Sequence, residues 1–429
     1  MTELDLNWLI SVDDHIIEPA HVWQRWVPQR YKERAPRLVR AIGGTDQWVP
    51  EGQGADEVGH VWEYDGKLYP IVRLSAVAGT PREQWNMAPI DYDTMNPAYS
   101  DQKARVEAMD VDGVLAALLF PTFPRFCGQT FKEAEDKELA LVCVQAYNDW
   151  MVQEWCAEAS GRFIPLAIVP LWDPELAAAE VRRCAAMGVR SISFSENPSK
   201  LGLPSIHDAD RHWDPLWKAC DEHGMTLSIH IGSSSVSIKT SPDTPLIESL
   251  SLNAMNGSVT FVDWMYSGIL LRFPNIKVAT SEGGVGWMPW ALARVARDLD
   301  RQQWTRTSTI KGNIISGDAR DNHRSKFGGT PHFDVYEVFK NQFFGCMLAD
   351  DWGLEVLPFI GTDNVMLETD YPHSDSSWPN SVELANQSMA SLSEEDRFKI
   401  LQGTARRVYD FTPADTSKLT RGVPAVAQA

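Results

Sequence analysis

Eight short apolar runs, starting near residues 8, 113, 162, 188, 225, 276, 341 and 364, set the tightest limit on what this chain can fold into. Each run after the first leads fairly directly into a segment with helical periodicity. The helical segments are 101–110, 133–159, 174–186, 213–223, 246–272, 289–303, 353–360 and 393–409. Alternating strands and helices call for a parallel sheet, because a crossover helix is the usual way back to a parallel neighbour. Eight such units predict an α/β fold of the (β/α)₈ barrel type. A doubly wound open sheet is the second architecture, but no glycine-rich phosphate fingerprint follows the first run. Gly283, Gly284 and Gly286 read as a tight turn.

The rhythm fails between residues 20 and 100, where glycines and prolines punctuate the sequence and no long period appears. A structureless loop of that length is unusual, so this stretch is expected to be a cap of short strands and turns inserted after strand one. Trp48, Trp62, Tyr64 and Trp85 give it aromatic weight, either packing the cap on the body or lining a pocket. Residues 1–412 are thus expected to be one barrel with its cap, and 413–429 a tail rich in Pro, Thr, Ser and Ala.

Composition excludes several classes of function. A net charge of −19 argues against nucleic acid and against an anionic membrane surface. No apolar run is long enough to span a bilayer. The first residues, Met1 to Asp5, are acidic and lack an apolar signal core, which predicts a cytoplasmic protein. The six cysteines form no CxxC pair, so buried free thiols are expected and a zinc ribbon is not.

Polar residues at the ends of the predicted strands carry the chemistry. Asp13 and His15 lie two apart on strand one and so share a face. His230 sits on the small polar face of strand five, with Ser228 and Gly232. Glu282 ends strand six. The last apolar run, Asn364 to Leu367, leads into Asp370, Tyr371, Pro372 and His373. Singly, His230 could be a core histidine, Asp13 a turn acid and Glu282 a helix cap. Together they bring several carboxylates to one end of a barrel, which is costly without a cation. Two imidazoles with two or three carboxylates form the nitrogen-and-oxygen set of a catalytic divalent metal.

The motifs Asp-x-His-x-x-Glu-Pro (Asp13 to Pro19), His-Ile-Gly (His230 to Gly232), Ser-Glu-Gly-Gly (Ser281 to Gly284) and Thr-Asp-Tyr-Pro-His (Thr369 to His373) resemble the amidohydrolase superfamily. The resemblance is strongest to amidohydrolase family 2, in the branch related to aminocarboxymuconate-semialdehyde decarboxylase, and runs roughly from Trp8 to Tyr409. It implies that Asp13, His15, His230 and Asp370 hold one divalent ion and that Asp370 also handles protons. Two positions depart from the family pattern. Asp13 replaces the first histidine of His-x-His, and Glu282 stands where strand six usually carries histidine. Glu18 is a competing ligand to Asp13.

Zn²⁺ is the expected ion, with Mn²⁺ or Fe²⁺ as alternatives in a carboxylate-rich shell. Hydrolysis of a carbonyl-type bond (amide, ester or C–C) is the first reading, with Asp370 or Glu282 moving the proton. A non-oxidative decarboxylase of an aromatic or unsaturated acid is the second, and a catalytically silent binding barrel the third. The substrate is expected to be a small planar organic molecule. Arg73, Arg125 and Arg190 are candidates to meet a substrate carboxylate, and His207 and His373 to face the pocket. A homo-oligomer, by default a dimer, is expected from base rates alone.

Overall fold

The computed structural model describes residues 4–44, 47–50, 58–86, 88–302, 309–311, 314–316, 332–348 and 350–422. Eight parallel strands form its centre: β1 (Leu9–Ile16), β2 (Val114–Pro121), β3 (Phe163–Ile164 with Leu166–Ala167), β4 (Ser191–Ser193), β5 (Thr226–His230), β6 (Lys277–Ser281), β7 (Phe343–Met347) and β8 (Val365–Leu367). The hydrogen-bonded order is Phe163–Ile164, β2, β1, β8, β7, β6, β5, β4, Leu166–Ala167. Both ends of that order are pieces of β3, one paired to β2 and the other to β4. The sheet therefore closes on itself as a (β/α)₈ barrel, and the open-sheet alternative falls away. Pro165 divides the two pieces of β3, where its missing N–H is no loss, and its carbonyl accepts Ser191 Oγ at 3.0 Å.

Inward and outward residues alternate as a closed barrel requires. On β5, Leu227 and Ile229 join the outer core under the helices, while Ser228 and His230 point inward. β1 breaks the alternation. Its register against β2 slips between Ser11 and Asp14, the mark of a bulge. Before the slip, Ile10 and Val12 fill the barrel interior; after it, Ile16 belongs to the outer core. The extra residue reverses parity, so Asp13 and His15 point inward directly above Val12. The floor of the barrel is closed by the end of the last helix (Thr404–Val408) and the residue after it. Thr226 Oγ1 donates to Val408 O at 2.7 Å, and Tyr409 meets Ser228 Oγ at 3.2 Å.

Most predicted helices stand close to their expected bounds, for example Pro174–Ala186 and Met288–Arg301. The long helix expected over 133–159 begins at Lys137 and continues past Trp150 as a π-helical stretch, Met151–Cys156. A short helix, Gln129–Glu133, precedes it, and Asp136 caps Lys137–Trp150 by accepting from Leu139 N at 3.0 Å. Two helices carried no clear period in the sequence. Val335–Gln342 is capped by Asp334, which accepts from Tyr336 N at 2.9 Å, and Ser381–Ser388 follows the turn after β8. The tail runs along the N-terminal rim, with Ala414 N on Gly161 O and Gly422 N on Asp110 O, each at 2.9 Å. No helix among the described residues is long and apolar enough to cross a membrane.

Between β1 and β2 stands a four-stranded antiparallel sheet in the order Gln47–Pro50, Arg37–Gly44, Val58–Tyr64, Lys67–Pro70. Trp62 and Tyr64 are buried against Trp23, Phe123 and Phe131, so they pack this sheet onto the body. Trp85 closes a local turn, Nε1 to Thr80 O at 3.2 Å, and the side chain of Trp48 lies outside the described residues. The inserted segment also meets the ends of the strands. Val77 N and Ala78 N donate to Pro372 O at 2.8 and 3.0 Å, and the Tyr92 hydroxyl donates to Glu18 O at 3.0 Å.

Asp112, at the end of the helix Gln102–Asp112, joins the segment after β8 to the body. Its carboxylate accepts from Ser381 N at 2.7 Å and Ser381 Oγ at 2.6 Å. Burial, only partly offset by these bonds, pushes its pKa up to about 7. The folded state thus holds this proton more tightly than the unfolded chain. The group's contribution is full below the unfolded value of 3.8 and is lost as pH rises through about 7. Asp112→Asn keeps a partner for both Ser381 groups. It should flatten the fall in stability between those two pH values, as read by chemical denaturation; an unchanged pH profile would show that Asp112 does not titrate in that window.

Candidate metal centre

The C-terminal mouth of the barrel gathers residues from four strands. Asp13, His15, His230 and Asp370 are all at least 98% buried. His15 Nε2 lies 3.4 Å from Asp13 Oδ1 and 3.4 Å from Asp370 Oδ1, and His230 Nε2 lies 3.4 Å from Asp13 Oδ2. The two Nε2 atoms face each other at 3.2 Å. Glu282 Oε1 stands 3.6 Å from His230 Nε2, and His373 Nδ1 is 2.8 Å from Asp370 Oδ1. Donor atoms of Asp13, His15, His230 and Glu282 all fall within 4.8 Å of one another, as do those of His15, Glu282, Asp370 and His373.

The donors are left short of hydrogen. Asp13 Oδ1 and Oδ2 are buried and accept no hydrogen bond, and Asp370 Oδ1 meets only the imidazole nitrogens of His373 and His15. His230 Nδ1 is 2.5 Å from Ile231 O, and only an N–H can bond a carbonyl, so a hydrogen sits on Nδ1 and the neutral ring would offer its Nε2 lone pair to a cation. Bare carboxylate oxygens beside two imidazole Nε2 atoms in a buried pocket are what a divalent cation neutralises, so this donor set fits a metal ion.

Electrostatics agree. Burial, then Glu368, Glu282 and Asp370, push Asp13 well above the usual carboxylate range. Burial raises Asp370 to about 7 against the pull of His373. Burial acts the same way on Glu282, but His230 and His373 outweigh it and hold Glu282 at about 2. Burial lowers His15, helped by His373 and His230. Glu282 and Asp370 both adopt left-handed backbone, φ 56° and 50°, a conformation costly for non-glycine residues and concentrated at functional sites.

A seam between β1 and β8 aims these side chains. Asp370 N donates to Asp13 O at 2.9 Å and His15 N to Tyr371 O at 2.7 Å. Asp14, turned outward by the bulge, accepts from Ser11 Oγ at 2.8 Å, Thr369 Oγ1 at 2.6 Å and Tyr371 N at 3.2 Å. Arg105 underpins the seam. It is fully buried, donates Nη2 to His15 O at 2.6 Å, lies 3.8 Å from Asp14 and stacks 4.4 Å above the Tyr371 ring. Aromatic rings wall the imidazoles, with Phe126 stacked on His230 at 4.1 Å and His373 on His15 at 3.8 Å.

The residues expected from sequence divide cleanly. Asp13, His15, His230, Glu282, Asp370 and His373 converge. Glu18 does not join them, because both its oxygens accept backbone N–H groups, of Thr122 and Phe123, at 2.9 Å. Arg190 is misplaced as a substrate contact. It precedes β4, at the opposite end of the barrel, and donates to Val189 O at 2.8 Å. His207 pairs with Asp263 at 2.5 Å, on the helix Met255–Ser267, and is absent from the converging set. Arg73 lines a cavity of about 290 Å³ with Asp91, Asn96 and Tyr99 in the inserted segment. Arg125 bonds Glu133 at 2.9 Å and Ser235 Oγ, in the loop after β5. Glu368 was missed. It is buried, accepts Glu282 N at 3.1 Å, and lies two residues before Asp370. The two-residue rule that linked Asp13 with His15 would have found it.

Arg105→Met should destabilise the fold by about 3–5 kcal/mol, because it leaves Asp14 buried without its counter-charge. Urea denaturation checks this; a loss within about 0.5 kcal/mol, the range of an ordinary surface change, would contradict it.

Comparison with known proteins adds a lineage to this geometry. The chain is 22% identical over 332 residues to the gamma-resorcylate decarboxylase of Polaromonas sp. (strain JS666), covering 72% of this chain and 87% of that one. Among solved structures, an amidohydrolase from Mycobacterium avium subsp. paratuberculosis K-10 superposes with a TM-score of 0.63 at 19% identity, covering 94% of this chain and 98% of that one. Dihydroxybenzoic acid decarboxylase from Polaromonas sp. JS666, solved with bound manganese and 2-nitroresorcinol, gives 0.54 at 17% identity, covering 94% and 97%. The model of the amidohydrolase family Amidohydro_2 matches residues 20–411, from just after β1 to the end of the barrel, and the chain belongs to that family.

Proposed function

We propose that the centre holds one divalent ion and that the protein is a non-oxidative carboxy-lyase acting on a small aromatic or unsaturated acid. The unpartnered, buried carboxylate of Asp13 between two imidazoles carries the metal reading. Asp13, His15, His230 and Asp370 would hold the ion, and Zn²⁺, Mn²⁺ and Fe²⁺ all suit a shell of two nitrogens and two carboxylates. When bound, a divalent ion supplies positive charge that attracts and orients an anionic substrate and stabilises charge developing on its oxygens.

Two observations rank carboxy-lyase above hydrolase. The relatives that match most of the chain are decarboxylases of aromatic acids. Glu282, which put hydrolysis first in the sequence, is held close to His230 and His373 and is not a free base aimed at water. In the reaction proposed here, the C–C bond to the carboxylate breaks, CO₂ leaves, and a proton replaces it on carbon. Asp370 and His373, 2.8 Å apart, can pass that proton between them. Phe126 gives a planar substrate an apolar wall. The inserted segment, bonded to Pro372 beside Asp370, acts as a cap that narrows access and excludes water.

Metal-loaded protein incubated with dihydroxybenzoates in D₂O should release CO₂ and place deuterium at the vacated carbon. His373→Gln, which keeps a polar side chain but cannot shuttle a proton, should slow turnover by about 10²–10⁴. Ester or amide cleavage without CO₂ release would restore the hydrolase reading.

A further inference from the structure

Glu196 lies beyond β4, contacts none of the proposed ligands directly, and is 5% exposed. Its Oε1 accepts from Gly232 N at 3.0 Å, Ser234 N at 3.2 Å and Ser234 Oγ at 2.6 Å. The first of these bonds has a particular consequence. Gly232 N–H and Ile231 C=O belong to one planar peptide group, whose N–H and C=O point in opposite directions. Glu196 grips the N–H end, and His230 Nδ1–H bonds the C=O end at 2.5 Å.

We propose that Glu196 is a positioning residue for the metal centre, acting on His230 through the Ile231–Gly232 peptide. A metal-binding histidine commonly gives its second N–H to a carboxylate or a backbone carbonyl, which fixes tautomer and ring orientation. Here the two arrangements are joined in series. The carboxylate polarises the peptide, the peptide carbonyl becomes a stronger acceptor, and the imidazole is held with Nε2 toward Asp13 and His15. The same turn is fixed independently. Ser233 O accepts from Gln129 Nε2 at 3.0 Å and Ser195 Oγ at 3.2 Å, and Glu196 N donates to Ser233 Oγ at 2.8 Å. A clasp that served the loop alone could be a neutral glutamine. Glu196 instead keeps Oε2 buried and unpartnered, and burial, only partly offset by the bonds from Ser234 and Gly232, raises its pKa; that cost calls for a role beyond holding the turn.

The inference rests on the metal reading, so its test has one readout that needs metal and one that does not. Zn²⁺ affinity of metal-free protein is measured by chelator competition for wild type, Glu196→Ala, Glu196→Gln and Ser234→Ala. The hydrogen on His230 is located by ¹⁵N-histidine NMR without metal, with His230→Asn assigning the signal. Glu196→Ala should weaken Zn²⁺ binding about 10–100-fold and let His230 sample both tautomers. Glu196→Gln keeps an acceptor oxygen and the fold but not the carboxyl group, and should fall between. Ser234→Ala leaves the peptide gripped and should stay near wild type. Wild-type affinity and a single Nδ1–H tautomer in folded Glu196→Ala would overturn the proposal; if that variant does not fold, the same result in Glu196→Gln does so. Wild-type protein that binds no Zn²⁺ would remove the metal reading instead, and the tautomer would still report on the coupling.

Discussion

Negative charge confined in a dry pocket is the constraint on which this structure turns. Asp13, Glu282, Glu368 and Asp370 crowd the mouth of the barrel, and each raises the cost of ionising its neighbours. The imidazoles of His230 and His373 relieve part of that repulsion at Glu282 and Asp370. They leave both oxygens of Asp13 without a hydrogen bond. Such an arrangement is stable only if proton or cation binding neutralises it, or if the surrounding fold holds it in place.

The fold does hold it. The bulge in β1 divides the Asp13-Asp14-His15 run into two inward side chains and one outward side chain. The outward one, Asp14, ties β1 to β8 through Ser11, Thr369 and Tyr371. Arg105 then balances Asp14 from below and holds the His15 carbonyl. Scaffold and site thus share one seam. The strained backbone at Glu282 and Asp370 is maintained by the pairing around it, so the carboxylates arrive already oriented.

The barrel was legible because eight apolar runs spaced by helices leave few other parallel arrangements, and because strand ends in such a barrel converge. The converging set was legible for the same reason. What sequence could not show was three-dimensional parity. Asp13 and His15 share a face as their spacing requires, but only the bulge makes that face the interior. Arg190 carried the right chemistry at the wrong end of its strand, and Glu18 turned to the loop after β2 because two backbone amides were within reach. Glu196 has no motif at all; its part depends on which end of a distant peptide it meets. Reaction class was legible only in outline. The relatives support the carboxy-lyase alternative better than the hydrolase placed first; the sequence could show Glu282's charge but not how closely His230 and His373 approach it.

The central claim is that these side chains form a metal centre. Its most direct measurement is anomalous diffraction at the metal absorption edge from crystals of protein loaded with Zn²⁺ or Mn²⁺. A single strong peak bounded by Asp13, His15, His230 and Asp370 is predicted. A peak only at His60, Asp91 and Asp93, the other cluster of metal-binding side chains among the described residues, or no peak at all, would contradict it.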